Sequence, residues 1–229
     1  MKDRLSPNFD TRDPAVALEY IVLHYTGMKN EESALARLCD PAAKVSAHYV
    51  IGEDGAIWRL ADEDKRAWHA GKSFWRGVTD VNSASVGIEM VNPGHEFGYR
   101  PFPDAQIIAL KKLAHRIIAR HRMSAATALL AHSDIAPARK QDPGELFPWA
   151  ELAKEGLGLW PSPSPQDFAP ASEDEISKML GFIGYDTTDL SAALLAFQRR
   201  YCPEKMTGKA DEESIARMRA LKRLIPTAP

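Results

Sequence analysis

Cysteine is scarce. Cys39 and Cys202 are the only two in 229 residues, and neither sits in a C-x-x-C spacing, so neither a disulfide framework nor a thiolate metal site is expected. Net charge is also missing. The formal balance of -2 and the pI near 6.4 supply no global basic field, and no local basic patch stands out, so no nucleic-acid partner is expected. No apolar run approaches the roughly 20 residues that span a bilayer, which argues against a membrane partner. The opening MKDRLSPNFDTRDP has a charged start but no apolar stretch behind it, so it reads as neither signal peptide nor lipoprotein box. The expected location is cytoplasmic, or periplasmic if an export signal has been removed.

What is present is globular. With 45% hydrophobic and 26% charged residues, the chain can build one sizeable core and a small second one. The clearest boundary is the Pro/Ser alternation that begins at Trp160 and runs to Pro165, continuing to Pro170, a composition that favours an extended, weakly packed segment. It divides the chain into a large unit (1–160), a linker (161–171) and a C-terminal unit (172–229).

Short apolar runs bounded by turns predict buried strands at Tyr20–Leu23, Tyr49–Ile51, Ala56–Trp58, Val86–Val91 and Thr127–Ala131, with a hairpin turn at Asp54-Gly55. Helical periodicity marks Glu31–Leu38 and Asp104–His121, the latter with Ile107, Leu110, Ala114, Ile117 and Ile118 on one face. The fold expected is α/β, a mixed central sheet flanked by helices. Three further helices are expected in the tail, at Ser172–Leu180 with Glu175 at capping-box spacing, Leu190–Tyr201 and Asp211–Leu224, sharing one small core.

His24 and His132 each end an apolar strand, where loops usually build a site. Asp142 lies ten positions beyond His132 in a Pro- and Gly-containing loop that could return its carboxylate to them. Two histidines and a carboxylate leave zinc a fourth position for water. Each signal alone is weak, because a lone strand-end histidine is more often a core or surface residue.

The segments combine into a more specific pattern: Val22-Leu-His-Tyr-Thr-Gly27, Ser46 to Gly55 with His48, Lys65-Arg-Ala-Trp-His-Ala-Gly71, Ser85-Val-Gly-Ile-Glu-Met90, and Ala131-His132 through Pro143-Gly144. Over about residues 20–145 the chain resembles the AmpD and AmiD group of N-acetylmuramoyl-L-alanine amidases, relatives of phage T7 lysozyme and the peptidoglycan recognition proteins. The resemblance implies zinc held by His24, His132 and Asp142, Glu89 acting on water, and Lys140 completing the site. The implied reaction is hydrolysis of the amide between N-acetylmuramic acid, in its 1,6-anhydro form, and L-alanine, with muropeptide fragments as partners. Zinc would acidify water to near neutrality and polarise the carbonyl. Glu89 would take and return the proton, and Lys140 would hold the oxyanion.

Without the resemblance, Glu89 reads as a solvent-facing strand residue and Lys140 as a solvated loop charge. His48 and His69 are candidates for orienting a ligand or lining the substrate cleft. Trp68 is a candidate sugar platform, Arg66 a carboxylate partner, and Asn92 a turn residue or cleft amide. Trp58 and Trp75 are more readily core or wall. His115 reads as a helix-surface residue, His121 as a C-terminal dipole partner, and the segment Lys72–Ser85 as a candidate lid.

The tail, with Leu194-Leu-Ala-Phe-Gln-Arg-Arg-Tyr201, resembles a three-helix peptidoglycan-binding domain, although Met206-Thr-Gly-Lys-Ala210 departs from its usual Asp-Gly-x-x-Gly loop. A module that only buttresses the large unit is the alternative. For the whole chain the alternatives are a non-catalytic recognition protein and an exported amidase acting on intact wall.

Overall fold

In the computed structural model, which describes residues 1–226, a six-stranded sheet forms the centre of the molecule. Its strands are β1 (Lys2–Asp3), β3 (Tyr20–Tyr25), β4 (Tyr49–Ile51), β5 (Ile57–Arg59), β7 (Ser85–Met90) and β8 (Leu129–Ala131), while β2 (Phe9–Thr11) and β6 (Lys65–Ala67) form a separate ribbon. The spatial order is β1-β5-β4-β7-β3-β8, with every neighbouring pair parallel except β4 and β5. That antiparallel pair is the predicted hairpin, closed by Gly52 N–H to Ala56 O at 2.8 Å. The sheet is therefore mixed, as expected. Strands β1, β2 and β6 were not anticipated, because their polar sequences Lys-Asp, Phe-Asp-Thr and Lys-Arg-Ala carry no apolar alternation.

The helices are α1 (Glu31–Cys39), α2 (Val81–Ala84), α3 (Gly94–Phe97), α4 (Asp104–His121), α5 (His132–Ile135), α6 (Trp149–Lys154), α7 (Glu173–Ile183), α8 (Leu190–Tyr201) and α9 (Glu212–Leu224). The predicted apolar face of α4 is buried. It covers one side of the sheet, packing on Ile21 and Leu23 of β3 and on Val86, Ile88 and Met90 of β7. The capping box of α7 forms as read, with Glu175 N–H donating to Ser172 Oγ and Ser172 N–H donating to the Glu175 carboxylate.

The other side of the sheet differs from expectation. Helices α7–α9 do not close a core of their own, since Leu180, Phe197 and Leu221 share one apolar cluster with Tyr20 and Val22 of β3, Leu130 of β8 and Ile135 of α5. The Pro/Ser segment is not loose either. It forms a 3-10 turn at Pro165–Phe168, where Arg223 pairs with the Asp167 carboxylate and Arg219 donates to the Asp167 and Pro170 carbonyls. Of two arginines one turn apart on α9, Arg219 thus satisfies backbone that proline cannot fold into a ladder and Arg223 fixes the Asp167 side chain. Positions 227–229 of the predicted C-terminal unit lie outside the described residues. Among the described residues no helix is long and apolar enough to cross a membrane.

Candidate active site

Parallel register sets the site. Glu89 of β7 lies opposite His24 of β3, and Leu23 lies opposite Ala131 of β8, so the next residue on each strand continues one row: Glu89, His24, His132. All three occupy the carboxyl ends of parallel strands, where open α/β sheets place their ligands. Side chains alternate along a strand, so His24 falls on the face of Tyr20 and Val22, opposite the one covered by α4.

Asp142 arrives from the loop after α5. Arg139 and Lys140 N–H both donate to Ala136 O, turning the chain, and Ser133 N–H donates to Asp142 O at 3.0 Å, which brings the carboxylate back over His132. Tyr99 steadies the far side by donating to Pro143 O at 2.8 Å. Gly144, at φ +89, passes so near Tyr99 that an added Cβ would lie 2.2 Å from its hydroxyl oxygen, which excludes any larger residue there.

Three donor atoms then converge. His24 Nδ1 is 2.9 Å from His132 Nδ1, and Asp142 Oδ2 is 3.1 Å from the first and 2.9 Å from the second. The hydrogen-bond network assigns the tautomers. His132 Nε2–H donates to Ala70 O at 3.1 Å, and His24 Nε2–H donates to His69 Nδ1 at 3.1 Å. His69 Nε2 in turn faces Ser85 Oγ, whose proton goes to Val81 O. Both Nδ1 lone pairs therefore point at each other and at a carboxylate. Such an arrangement repels itself unless a cation or proton lies between the groups, and it is the donor set and outer hydrogen bonding that a zinc ion requires. His24, His132 and Asp142 are also the group among the described residues whose ligand atoms fit one metal ion.

Electrostatics agree with that fit. Burial, and then the charge of His132, depress His24 to about 4, so its imidazole is neutral at pH 7. Burial works against the Asp142 carboxylate, but in the metal-free protein a proton held between it and the two rings, on the His132 side first, outweighs burial and keeps the group well below its ordinary range. Glu89 is shifted the other way, well upward, by burial first and by the neighbouring Asp142 charge second, with Lys140 opposing. Its Oε2 is buried without a hydrogen-bond partner, so it is not the solvent-facing strand residue that alternation alone suggests.

These groups line a cleft of about 630 Å³, and the structure sorts the other candidates by whether they reach it. Lys140, Trp68 and His69 do. His69 lies against bare backbone: a Cβ on Gly87 would sit 2.4 Å from its Cγ. His48 does not line the cleft. It is fully buried behind His69, accepting from Gly87 N–H at 2.9 Å and facing Lys65 O at 3.0 Å, so it props the strand. Arg66 is likewise misplaced as a substrate group, because Asp10 and Asp80 already occupy its guanidinium at 2.9 and 2.7 Å outside the cleft. Asn92 is the turn residue and not the cleft amide: it is buried, donating to Arg100 O and accepting from Gly94 N–H.

Trp75 is a wall residue, buried against Tyr185. The segment that contains it is tied down, with Phe74 N–H on Ile135 O and Arg76 on the carbonyls of Ile183 and Gly184, which leaves a lid no free hinge there. The sequence reading missed Arg37, Arg139 and Gln141 on the cleft wall. Arg139 and Gln141 flank Lys140, so adjacency to a candidate was an available signal; Arg37 sits on the polar face of α1 and offered none.

Comparison with known proteins bears on the family and the fold. A family described as N-acetylmuramoyl-L-alanine amidase matches residues 13–145. The chain is 37% identical to the N-acetylmuramoyl-L-alanine amidase AmiD of Escherichia coli, over 93% of this chain and 86% of that protein. It is 30% identical to the 1,6-anhydro-N-acetylmuramyl-L-alanine amidase AmpD of Haemophilus influenzae, over 63% of this chain and 85% of that one. The solved structure of E. coli AmiD with anhydro-N-acetylmuramic acid-L-Ala-D-gamma-Glu-L-Lys superposes with a TM-score of 0.81 at 35% identity, covering 93% of this chain and 92% of that one. AmpDh3 from Pseudomonas aeruginosa, in complex with anhydromuramic pentapeptide, superposes with a TM-score of 0.82 at 29% identity, covering 96% and 98%.

Proposed function

This chain belongs to the N-acetylmuramoyl-L-alanine amidase family, and we propose that its cleft cuts the amide between the lactyl group of 1,6-anhydro-N-acetylmuramic acid and L-alanine, in zinc-dependent turnover of peptidoglycan fragments. The observation that carries the reading is the convergence of two imidazole lone pairs and one carboxylate oxygen within 2.9–3.1 Å, beside a half-buried glutamate with one buried, unpaired oxygen. The anhydromuropeptides named in the two solved complexes support the choice of substrate.

His24, His132 and Asp142 would hold the ion. Zinc bound there supplies positive charge: it lowers the pKa of water toward about 7, polarises the amide carbonyl and draws the raised pKa of Glu89 back down. Glu89 takes a proton from the attacking water and passes it to the alanine nitrogen as the C–N bond breaks, leaving a lactyl carboxylate and a free stem-peptide amine. A carboxylate with a pKa near the working pH does both steps, and burial is what moves Glu89 in that direction. Lys140, on the cleft wall, stabilises the negative oxygen of the tetrahedral intermediate. Trp68 offers the sugar a flat face, its indole N–H anchored on Asp10 at 2.7 Å.

The test is zinc content together with mass-spectrometric product analysis on anhydromuropeptide and on intact sacculi, for wild type and His132→Ala. The expected result is about one zinc per wild-type chain, with free stem peptide released from the anhydromuropeptide by wild type alone. Release from sacculi in preference to fragments would replace the fragment substrate with intact wall, and a metal-free protein that binds muropeptide without cutting it would make the chain a recognition protein.

A further inference from the structure

Asp134 lies two residues beyond His132, is fully buried, and takes no part in the chemistry above. Its carboxylate collects three hydrogen bonds. Ala131 N–H, the residue before His132, donates to Oδ2 at 2.9 Å. Arg200 of α8 donates to the same oxygen at 2.5 Å, and the Tyr185 hydroxyl, from the α7–α8 connection, donates to Oδ1 at 2.7 Å. Arg200 also donates to Leu129 O of β8 at 3.1 Å, and its guanidinium lies 3.9 Å from the centre of the Trp149 ring. The strand before His132 is thus fastened to Arg200 at Leu129 O, and the turn after it to Arg200 and Tyr185 through the Asp134 carboxylate.

We infer that Arg200 and Tyr185 are positioning residues for the metal centre: through Asp134 they hold the β8–α5 turn so that His132 presents Nδ1 to His24 and Asp142. This rests on the reading that those three residues bind zinc. Geometry favours it over simple adhesion between two units. A group that only glued the helices down could bond anywhere on the shared face, whereas Arg200 and Tyr185 meet on the one carboxylate that also caps the ligand-bearing turn. His132 is held elsewhere by its own Nε2–H on Ala70 O and by Ser133 N–H on Asp142 O, and the Asp134 carboxylate fixes the start of the turn that carries it. A C-terminal unit that completes the metal site would be required even for small soluble substrates, a role distinct from gripping wall polymer.

The experiment measures the zinc dissociation constant of the full chain by competition with a chromophoric chelator, alongside thermal unfolding of the chelator-treated protein. The variants are Tyr185→Phe, Arg200→Met, Arg200→Lys and Gln198→Leu. Gln198 is buried in α8 but bonds only within the helical unit, to Thr207, Gly208 and Lys209, so it reports damage to that unit without touching Asp134. Loss of an outer hydrogen-bond partner weakens metal binding by about 10- to 100-fold. Tyr185→Phe and Arg200→Met should therefore bind zinc at least about tenfold more weakly, with kcat recovering in excess zinc and KM unmoved. Arg200→Lys should lie between these and wild type, and Gln198→Leu should melt earlier at wild-type zinc affinity. Wild-type affinity in both Tyr185→Phe and Arg200→Met, or equal weakening in Gln198→Leu, would overturn the inference. If Arg200→Met does not fold, the isosteric Tyr185→Phe decides alone. A wild-type chain that binds no zinc instead overturns the functional reading beneath it.

Discussion

The two faces of the central sheet are made by the same strands and do different work. On the α4 face, alternate residues of β3 and β7 are apolar from end to end: Ile21 and Leu23, then Val86, Ile88 and Met90. On the other face β3 begins apolar, with Tyr20 and Val22 packed against the C-terminal helices, β7 begins with Ser85 and Gly87, and the two strands end in His24 and Glu89. One face is uniform because α4, with Phe147, Trp149 and Leu152, covers it in apolar side chains. The other is covered by the C-terminal helices at the start of β3 and by α1 over β4, and the carboxyl ends of β3 and β7 left open become the cleft. Burial there comes from neighbouring polar groups and a closely approaching backbone, so charges are shifted instead of excluded. Covering layers of unequal reach are enough to divide one sheet into scaffold and site.

That contrast is sharpest in the strand β7, where Glu89 and Ile88 are adjacent and face opposite ways. Glu89→Gln should lower kcat by roughly 10²- to 10⁴-fold, the range for loss of a general acid–base group, while zinc content and thermal stability hold. A variant within a few-fold of wild type would remove Glu89 from the chemistry. Ile88→Ala should do the reverse. It removes a fully buried side chain facing α4 and should cost about 2–5 kcal/mol in urea unfolding, with kcat per folded molecule retained. Loss of zinc from the folded fraction would show that the faces are not independent.

Acid response separates the faces next. In chelator-treated protein, burial depresses His24 and His48 to about 4, below the 6.5 of a free imidazole. Folded values below unfolded ones mean that the unfolded chain binds the extra protons, so stability falls as pH drops from about 6.5 toward 4, by up to about 1.4 kcal/mol per pH unit for each group. Glu89 carries the opposite sign. Its folded value is raised, the folded state holds the proton, and stability falls as pH rises above 4.5. Glu89→Gln should therefore steepen the acid-side loss and flatten the decline at higher pH, read from urea midpoints across pH 4.5 to 8. An unchanged slope would mean that Glu89 is not buried in its charged form. The smallest effect is expected at an exposed pair beside the cleft: Arg66→Met breaks half-exposed pairs with Asp10 and Asp80, should cost at most about 1 kcal/mol, and should leave KM for anhydromuropeptide within a few-fold of wild type, since Asp10 keeps its bond to the Trp68 indole. A larger rise in KM would return Arg66 to the substrate.

Much of this was legible from local signals. The 3.6-residue period of α4, the capping box of α7 and the apolar runs of β3, β4 and β7 are properties of neighbouring residues, and they appear where the chain predicts them. The strand-end positions of His24 and His132 were local signals too, with Asp142 a weaker one in the loop beyond, but Glu89 and Lys140 were implied only by the resemblance of the joined segments. The substrate-side readings of Arg66, His48 and Asn92 are not met because each side chain is taken up by partners that no local spacing reveals, while the turn reading of Asn92 stands. Asp10 lies 56 positions from Arg66, His48 pairs across to β7, and Asn92 reaches a carbonyl on the far side of a turn.

Local chemistry thus dictated which stretches fold as helix or strand, and which residue types could carry a hydrolytic site. Long-range register chose among them. It set Glu89, His24 and His132 in one row, turned Asp142 back over them, and folded the C-terminal helices onto the open face so that Arg200 and Tyr185 meet Asp134. Those choices belong to the tertiary structure because each is a contact between groups separated by tens of residues, and its free energy exists only once the sheet has formed around it.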